Sequence, residues 1–436
     1  MNWLNTYFGF DRHGTNLTRE VVAGLTTFTT MSYIVVVNPA ILSAAGIPAG
    51  PSFVSTVLVA VAGCFLMAFY ANRPFAIAPY MGENAFIAFT VCKMLGFAWQ
   101  TALAAIFIAG ALFILMTVLR LRQWIVEGVP TCLRYSFAVG IGLFLTFIGL
   151  NQTGLVALGV PGAPVQAGHL ASHPALVAIF GFVLLAILTI RKFPGAILMG
   201  IIITAIVAFL VGTASPPQHL MSLPPSLGPI FWQLDFRGAL TWRAFPVVLT
   251  IFIMAFVDTM GTLIGLSARA GFLDESGQLP QIERPMLVDA FTTCLAPALG
   301  TTTAGAFVES ATGIEVGGRT GFTVLITGTC FLLTLFFAPF VAAIPAQAYG
   351  PALIIVGLFM LSPITRIDFT DLTESIPAFA VVSLMAFTFN IAIGICAGFV
   401  LYLICKLVSG KYEQLKPGLW VLAALSLMFF VVYPYS

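Results

Sequence analysis

Charge is what this chain has least of. Only 8% of its 436 residues are Asp, Glu, Lys or Arg, against about a quarter in a soluble domain, and 60% are hydrophobic. That scarcity excludes a water-soluble globular fold. Basic runs of the kind that bind nucleic acid are missing. The seven cysteines are scattered through mostly apolar stretches with no Cys-x-x-Cys pair, so neither a disulfide framework nor a zinc site is indicated. Of the four histidines, His13 lies near the amino terminus and His169, His173 and His219 in loops, so no histidine metal centre is expected within the membrane. Gly317-Gly318-Arg319-Thr320-Gly321 lacks the Gly-x-x-x-x-Gly-Lys spacing that cradles phosphates and reads as a tight turn, without support for nucleotide hydrolysis. No cofactor is implied.

What is present is a series of apolar runs, each about long enough for a membrane-crossing helix. They lie near 21–44, 52–70, 77–95, 99–119, 133–150, 174–190 and 195–213, then, after a polar, Pro-rich stretch, near 245–267, 286–300, 305–317, 320–341, 347–362, 374–389 and 391–408. No cleavable signal is expected, the first run serving for targeting. With a cytoplasmic amino terminus this arrangement puts Lys93, Arg237 and Arg243 outside. The other fifteen of eighteen Lys and Arg fall inside, Arg120, Arg122 and Lys406 among them. A missed or extra span would invert every later loop, so the asymmetry supports fourteen spans. The last run, Leu419 to Val432, reads as a fifteenth span or an interfacial helix.

Seven spans per half is an odd number, so two repeated halves would be inserted upside down relative to each other, which implies alternating access. The third span of each half carries a polar interruption: Met81-Gly82-Glu83-Asn84-Ala85-Phe86 in one, Ala306-Phe307-Val308-Glu309-Ser310-Ala311 in the other. Before them stand Pro74-Phe75-Ala76-Ile77-Ala78-Pro79 and Thr301-Thr302-Thr303-Ala304-Gly305, poor helix formers. Such stretches are expected to be unwound and to face a binding cavity, with short half-helices offering free N–H groups to a ligand. The alternative is that Pro79 and Gly305 merely mark helix starts.

A carboxylate in hydrocarbon costs roughly 2.5 to 3.5 kcal/mol on insertion scales and is a functional-site candidate by default. Glu83, Asp258 and Glu309 lie within spans; Asp289, Glu315 and Glu374 read as nearer the cytoplasmic ends. Gly261 and Gly265, four apart beyond Asp258, are expected to let another helix approach closely. A carboxylate accepts two hydrogen bonds when ionised and donates when protonated, and Asn84 donates and accepts at once, which suits the mixed edge of a purine or pyrimidine. Asp258 and Glu309 are also expected to couple transport to protons, because burial disfavours the charged form and a neighbouring ligand changes that balance. Phe86, Phe89 and Phe307 are candidate stacking faces. Thr27 and Thr30 either face the cavity or bond their own helix backbone. Asn38-Pro39 is expected to end the first helix.

Taken together, Gly-Leu-Thr-Thr-Phe-Thr-Thr-Met-Ser-Tyr-Ile with Val-Asn-Pro, Met-Gly-Glu-Asn-Ala-Phe, Asp-Thr-Met-Gly-Thr-Leu-Ile-Gly, Glu-Ser-Ala-Thr-Gly-Ile and Gly-Gly-Arg-Thr-Gly resemble the AzgA-like adenine/guanine/hypoxanthine permeases, a branch of the nucleobase/ascorbate transporter group, from about Phe8 to Val408. The resemblance implies an all-α polytopic fold like uracil permease: fourteen spans in two inverted repeats, with spans 3 and 10 broken by short extended stretches. It implies a core from 20–119 and 244–341 and a gate from 120–213 and 342–408. Residues 1–19 would be cytoplasmic, 214–243 an extracytoplasmic loop and 409–436 a tail with one more apolar segment.

The resemblance further implies import of a purine base by proton symport in the inner membrane, with sodium the lesser candidate, and a homodimer in the lipid bilayer. Family substrate residues carry over to Asn84, Asp258 and Glu309, with backbone groups around Ala85 and Val308; Ser310 and Phe307 flank them. Where the family pattern has an apolar residue, usually leucine, this chain has Glu83. The other transport reading on this fold is a sulfate or bicarbonate carrier, whose site should show Arg, Lys or unopposed N–H groups rather than carboxylates. Enzymatic chemistry would need a nucleophile and base, or a metal cluster, which the spans lack.

Overall fold

The computed structural model describes residues 2–119, 128–160, 163–274 and 279–432. Arg120 and Arg122, counted above on the inner side, lie outside them. Helix α1 (Asn2–Phe8) leads into α2 (Leu17–Met31), whose first turn is capped by the Asn16 side chain accepting from the Arg19 amide at 3.0 Å. The first span continues as α3 (Ile34–Ser43). Asn38-Pro39 does not end it. Pro39 lies inside α3, and the interruption comes upstream at Ser32–Tyr33.

The first half continues with α4 (Ala49–Leu66), strand β1 (Ile77–Pro79), α5 (Met81–Ala85), which runs on as a wider π-type helix over Phe86–Met94, and α6 (Trp99–Val118). Then come α7 (Thr131–Gln152), a hairpin of β2 (Val156–Val160) and β3 (Ala163–Ala167), α8 (His173–Ile190) and α9 (Ala196–Val211). The largely exposed hairpin was not anticipated from the sequence, where an all-α fold was expected.

The second half comprises α10 (Phe236–Ala239), α11 (Phe245–Ala270), α12 (Glu283–Ala298), β4 (Ala304–Ala306), α13 (Ser310–Val316), α14 (Gly321–Thr334), α15 (Ala338–Ala343), α16 (Ala346–Met360), α17 (Leu372–Phe387), α18 (Ile391–Val408) and α19 (Pro417–Val432). Among the described residues nine helical segments are long and apolar enough to cross a membrane, and three shorter apolar helices accompany them. One of the three is α19, which packs along α18 and rises about 24 Å at 1.5 Å per residue.

Two packing groups emerge. Helices α2, α4, α6, α11, α12, α13 and α14 pack on one another, and α7, α8, α9, α16, α17, α18 and α19 on one another. In the second group α7 and α16 cross through glycines: a Cβ on Gly142 would stand 2.7 Å from the Gly357 carbonyl oxygen, and one on Gly149 2.7 Å from that of Gly350. Beside them the Lys406 ammonium is fully buried, donating to the Thr373 hydroxyl (2.8 Å) and to Glu374 (3.4 Å). Next to it, Asp371 caps α17, and its bonds from Lys411 and then Thr373 hold its carboxyl well below the usual carboxylate range.

What joins the two halves at the centre is β1 against β4. They pair antiparallel, Ile77 opposite Ala306 and Pro79 opposite Ala304, with every residue of both buried. Extended backbone at membrane depth would leave N–H and C=O groups unpaired; here each strand supplies the other's partners. Bonds from the Tyr80 amide to the Thr303 carbonyl (3.0 Å) and from the Phe307 amide to that of Ala76 (2.8 Å) extend the pair. Gly305 has to be glycine, since a side chain there would run into the Tyr80 ring.

Candidate substrate site

The acidic and amide residues singled out from the sequence gather around this strand crossing, in two different settings. Immediately after β1, α5 carries Glu83 and Asn84, both almost wholly buried. The Asn84 side chain is committed: its amide donates to the Asn38 carbonyl oxygen, and its own carbonyl oxygen accepts from the Thr302 hydroxyl. Asn38 in turn donates to the Thr56 hydroxyl (2.7 Å) and the Thr301 hydroxyl (3.0 Å), so one polar net ties α3, α4, α5 and the approach to β4 together. Glu83, by contrast, has neither carboxylate oxygen in a well-formed hydrogen bond, and the Thr303 hydroxyl, near enough to act on it, makes no well-formed bond either.

After β4 the pattern changes. Glu309, at the start of α13, is half-buried and accepts a 2.6 Å bond from the Tyr33 hydroxyl, which the gap between α2 and α3 presents to it. Ser310 accepts from the Ala76 amide at 2.9 Å and so fastens β1 from the far side. Val308 is 62% exposed, while Ala85 is fully buried.

Asp258 lies on α11, half-buried, and acts electrostatically on Glu83 ahead of Asp289. Gly261 and Gly265 do not serve a helix crossing, as their spacing suggested: a Cβ on either would meet nothing within 4 Å, and both are exposed. Their four-residue spacing fixes a face of the helix but not what covers it. Asp258, Gly261, Gly265 and Arg269 share that face, which runs open from the deep carboxylate to the exposed Arg269–Glu315 ion pair (2.6 Å).

Asp289 is also not a helix-end residue. It is fully buried on α12, and one oxygen accepts from the Ala306 amide (3.1 Å) and the Tyr80 hydroxyl (3.3 Å), holding the back of β4. Tyr80 stacks on Phe307, centroids 6.5 Å apart and planes 11° from parallel. Phe86 is fully buried, and Phe89 meets the edge of Phe389 at 5.9 Å. Thr30 bonds Thr26 of its own helix (2.7 Å) and the Thr312 hydroxyl (3.1 Å), while Thr27 is buried against Gly313 with its hydroxyl unbonded.

Sequence reasoning missed Tyr33, Tyr80 and Glu20. Glu20 is fully buried on α2 and accepts from the Arg319 amide (2.9 Å) and the Thr320 (2.8 Å) and Thr323 (2.6 Å) hydroxyls, capping α14 with a negative charge. Asn38 and Asp289 were within reach of the rule that found Glu83, a polar side chain inside an apolar run. Tyr33 carried no such signal, because its partner is 276 residues away.

A family model described as Permease family, Xan_ur_permease, matches residues 18–395. The chain is 39% identical over 422 residues to the adenine permease AdeQ of Escherichia coli, covering 97% of this chain and 95% of that one. It is 35% identical over 439 residues to the guanine/hypoxanthine permease PbuG of Bacillus subtilis, covering 98% and 99%. Among solved structures, the transmembrane domain of the cyanobacterium bicarbonate transporter BicA aligns with a TM-score of 0.65 at 17% identity, covering 88% of this chain and 97% of that one; this likeness is one of fold.

Proposed function

The chain belongs to the Permease family, Xan_ur_permease, and on that premise we propose that it imports a purine nucleobase, adenine, guanine or hypoxanthine, by proton symport across the cytoplasmic membrane. The observation that carries this reading is that Asp258 and Glu309 both flank the pairing of β1 and β4, Glu309 three residues past β4 and Asp258 on α11, which packs against β4. A carboxylate there accepts from the adjacent N–H groups of a base edge, and the open face of α11 gives the base a way in or out. The stacked Tyr80 and Phe307 offer apolar ring surface beside it.

The two packing groups serve as core (20–119 and 244–341) and gate (120–213 and 342–408), in fourteen spans related as inverted repeats with an inner amino terminus. The core carries the strand crossing past the gate in an elevator-type motion. Residues 214–243 form the outer loop, and two copies associate through their gates. Asp258 and Glu309 contact the base, with Asn84 fixing the first half of the site. An anion carrier would need cations or unopposed N–H groups where this site has carboxylates.

One competition panel tests the proposal: uptake of labelled adenine in cells lacking their own purine permeases, against unlabelled adenine, guanine, hypoxanthine, xanthine and uracil, with and without a protonophore. Competition by purines and collapse of accumulation with the protonophore are expected. Uptake displaced by sulfate or bicarbonate but not by purines would refute it.

A further inference from the structure

Glu83 alone among the described residues has both carboxylate oxygens buried without a hydrogen bond. Its neighbours explain why it stays so. Asn84, next to it, is spoken for by Asn38 and Thr302, so the net that fixes this turn offers Glu83 no donor. The titratable groups facing it are Asp258 from α11, Asp289 from α12 and Tyr80 from the end of β1. Helix α3 brings the neutral Asn38, and α7 brings Ile141 against Gly82. No cation is among them, and Glu309, bonded to Tyr33, is not among the groups that act on it.

An ionised carboxylate in that setting would face two others and no cation, a buried charge that protonation removes. Once protonated, the acid can donate to the nearby Thr303 hydroxyl, which accepts as well as donates. Asp258, which acts on Glu83, is half-buried on the helix face that Gly261 and Gly265 leave open.

We propose that Glu83 holds the co-transported proton during the crossing and exchanges it with the open side through Asp258, which also contacts the base, while Glu309 serves the base alone. The inference rests on the reading of the chain as a proton-coupled nucleobase carrier. The proton enters from the outer solution with the base and leaves to the cytoplasm, so charge and mass balance without a co-reactant.

The test uses the full-length protein in proteoliposomes, with labelled adenine, guanine or hypoxanthine and a lumenal pH dye. Two readouts are taken: counterflow, which needs base exchange only, and base-driven proton influx with accumulation. For wild type, one proton per base gives about 50-fold accumulation per 100 mV. In Glu83→Gln we expect counterflow within about threefold of wild type, loss of proton influx and accumulation falling to about 1 as the coupling between the two ligands disappears. Glu83→Leu is expected to behave the same way and serves if the glutamine variant does not insert.

Retained proton influx in either variant overturns the proposal. So does loss of counterflow with the protein present in the membrane, which would make Glu83 a base contact, and so does wild-type accumulation driven by a sodium gradient in place of a proton gradient. Wild-type protein that exchanges no purine refutes the substrate reading itself, before any variant is compared.

Discussion

The two halves of the strand crossing share a layout and finish it with opposite chemistry. In the first, the carboxylate is buried and unbonded and the amide after it is locked into a net of five side chains. In the second, the carboxylate is half-buried and held by Tyr33, and the small polar residue after it makes one bond across to the backbone before β1. The difference teaches that a matching place in the two halves does not assign a role. Glu309 is oriented and reachable, as a group that greets a ligand should be, whereas Glu83 is dry and unsatisfied, as a group that carries a proton should be.

The largest expected effect falls on the reachable carboxylates. Glu309→Gln and Asp258→Asn should each cut concentrative purine uptake by about 10- to 100-fold, the equivalent of a charged hydrogen bond, with protein still in the membrane. Unchanged accumulation in both variants would remove the site assignment. Next comes a contrast between the halves in stability. Asn84→Ala strands the polar ends of Asn38 and Thr302 and should destabilise the detergent-solubilised protein more than Ser310→Ala, which strands one amide at about 1 to 3 kcal/mol. A melting curve decides it, and the reverse order would break the comparison. Tyr33→Phe frees Glu309 without changing its charge, and KM is expected to rise about tenfold with little change in maximal rate. The smallest effect is expected for Thr27→Val and Thr30→Val, with initial uptake rates within about twofold of wild type, since these hydroxyls serve helix packing rather than the crossing.

Part of this was legible in the sequence for a simple reason: hydrocarbon tolerates so little polarity that each exception announces itself. Glu83, Asp258 and Glu309 stood out that way, and the stretches from Pro74 to Pro79 and from Thr301 to Gly305 read as poor helix where β1 and β4 are found. What was not legible depended on which side of a helix faces what. Gly261 and Gly265 have the spacing of a packing motif and border open space instead, while the glycines that do carry a close crossing, Gly142, Gly149, Gly350 and Gly357, are spread over two distant segments. Asp289 reads as one turn from a helix end yet is the anchor of β4, because β4 returns to cover it. The exposed hairpin of β2 and β3 belongs to a loop whose pattern follows no membrane constraint.

Whether the two carboxylates have different jobs is measured most directly by calorimetric titration of adenine, guanine and hypoxanthine into purified protein. Glu83→Gln is predicted to bind its preferred base with an affinity close to wild type, and Glu309→Gln to lose at least about tenfold. Equal losses in the two variants, or loss confined to Glu83→Gln, would contradict the division of labour drawn from the geometry.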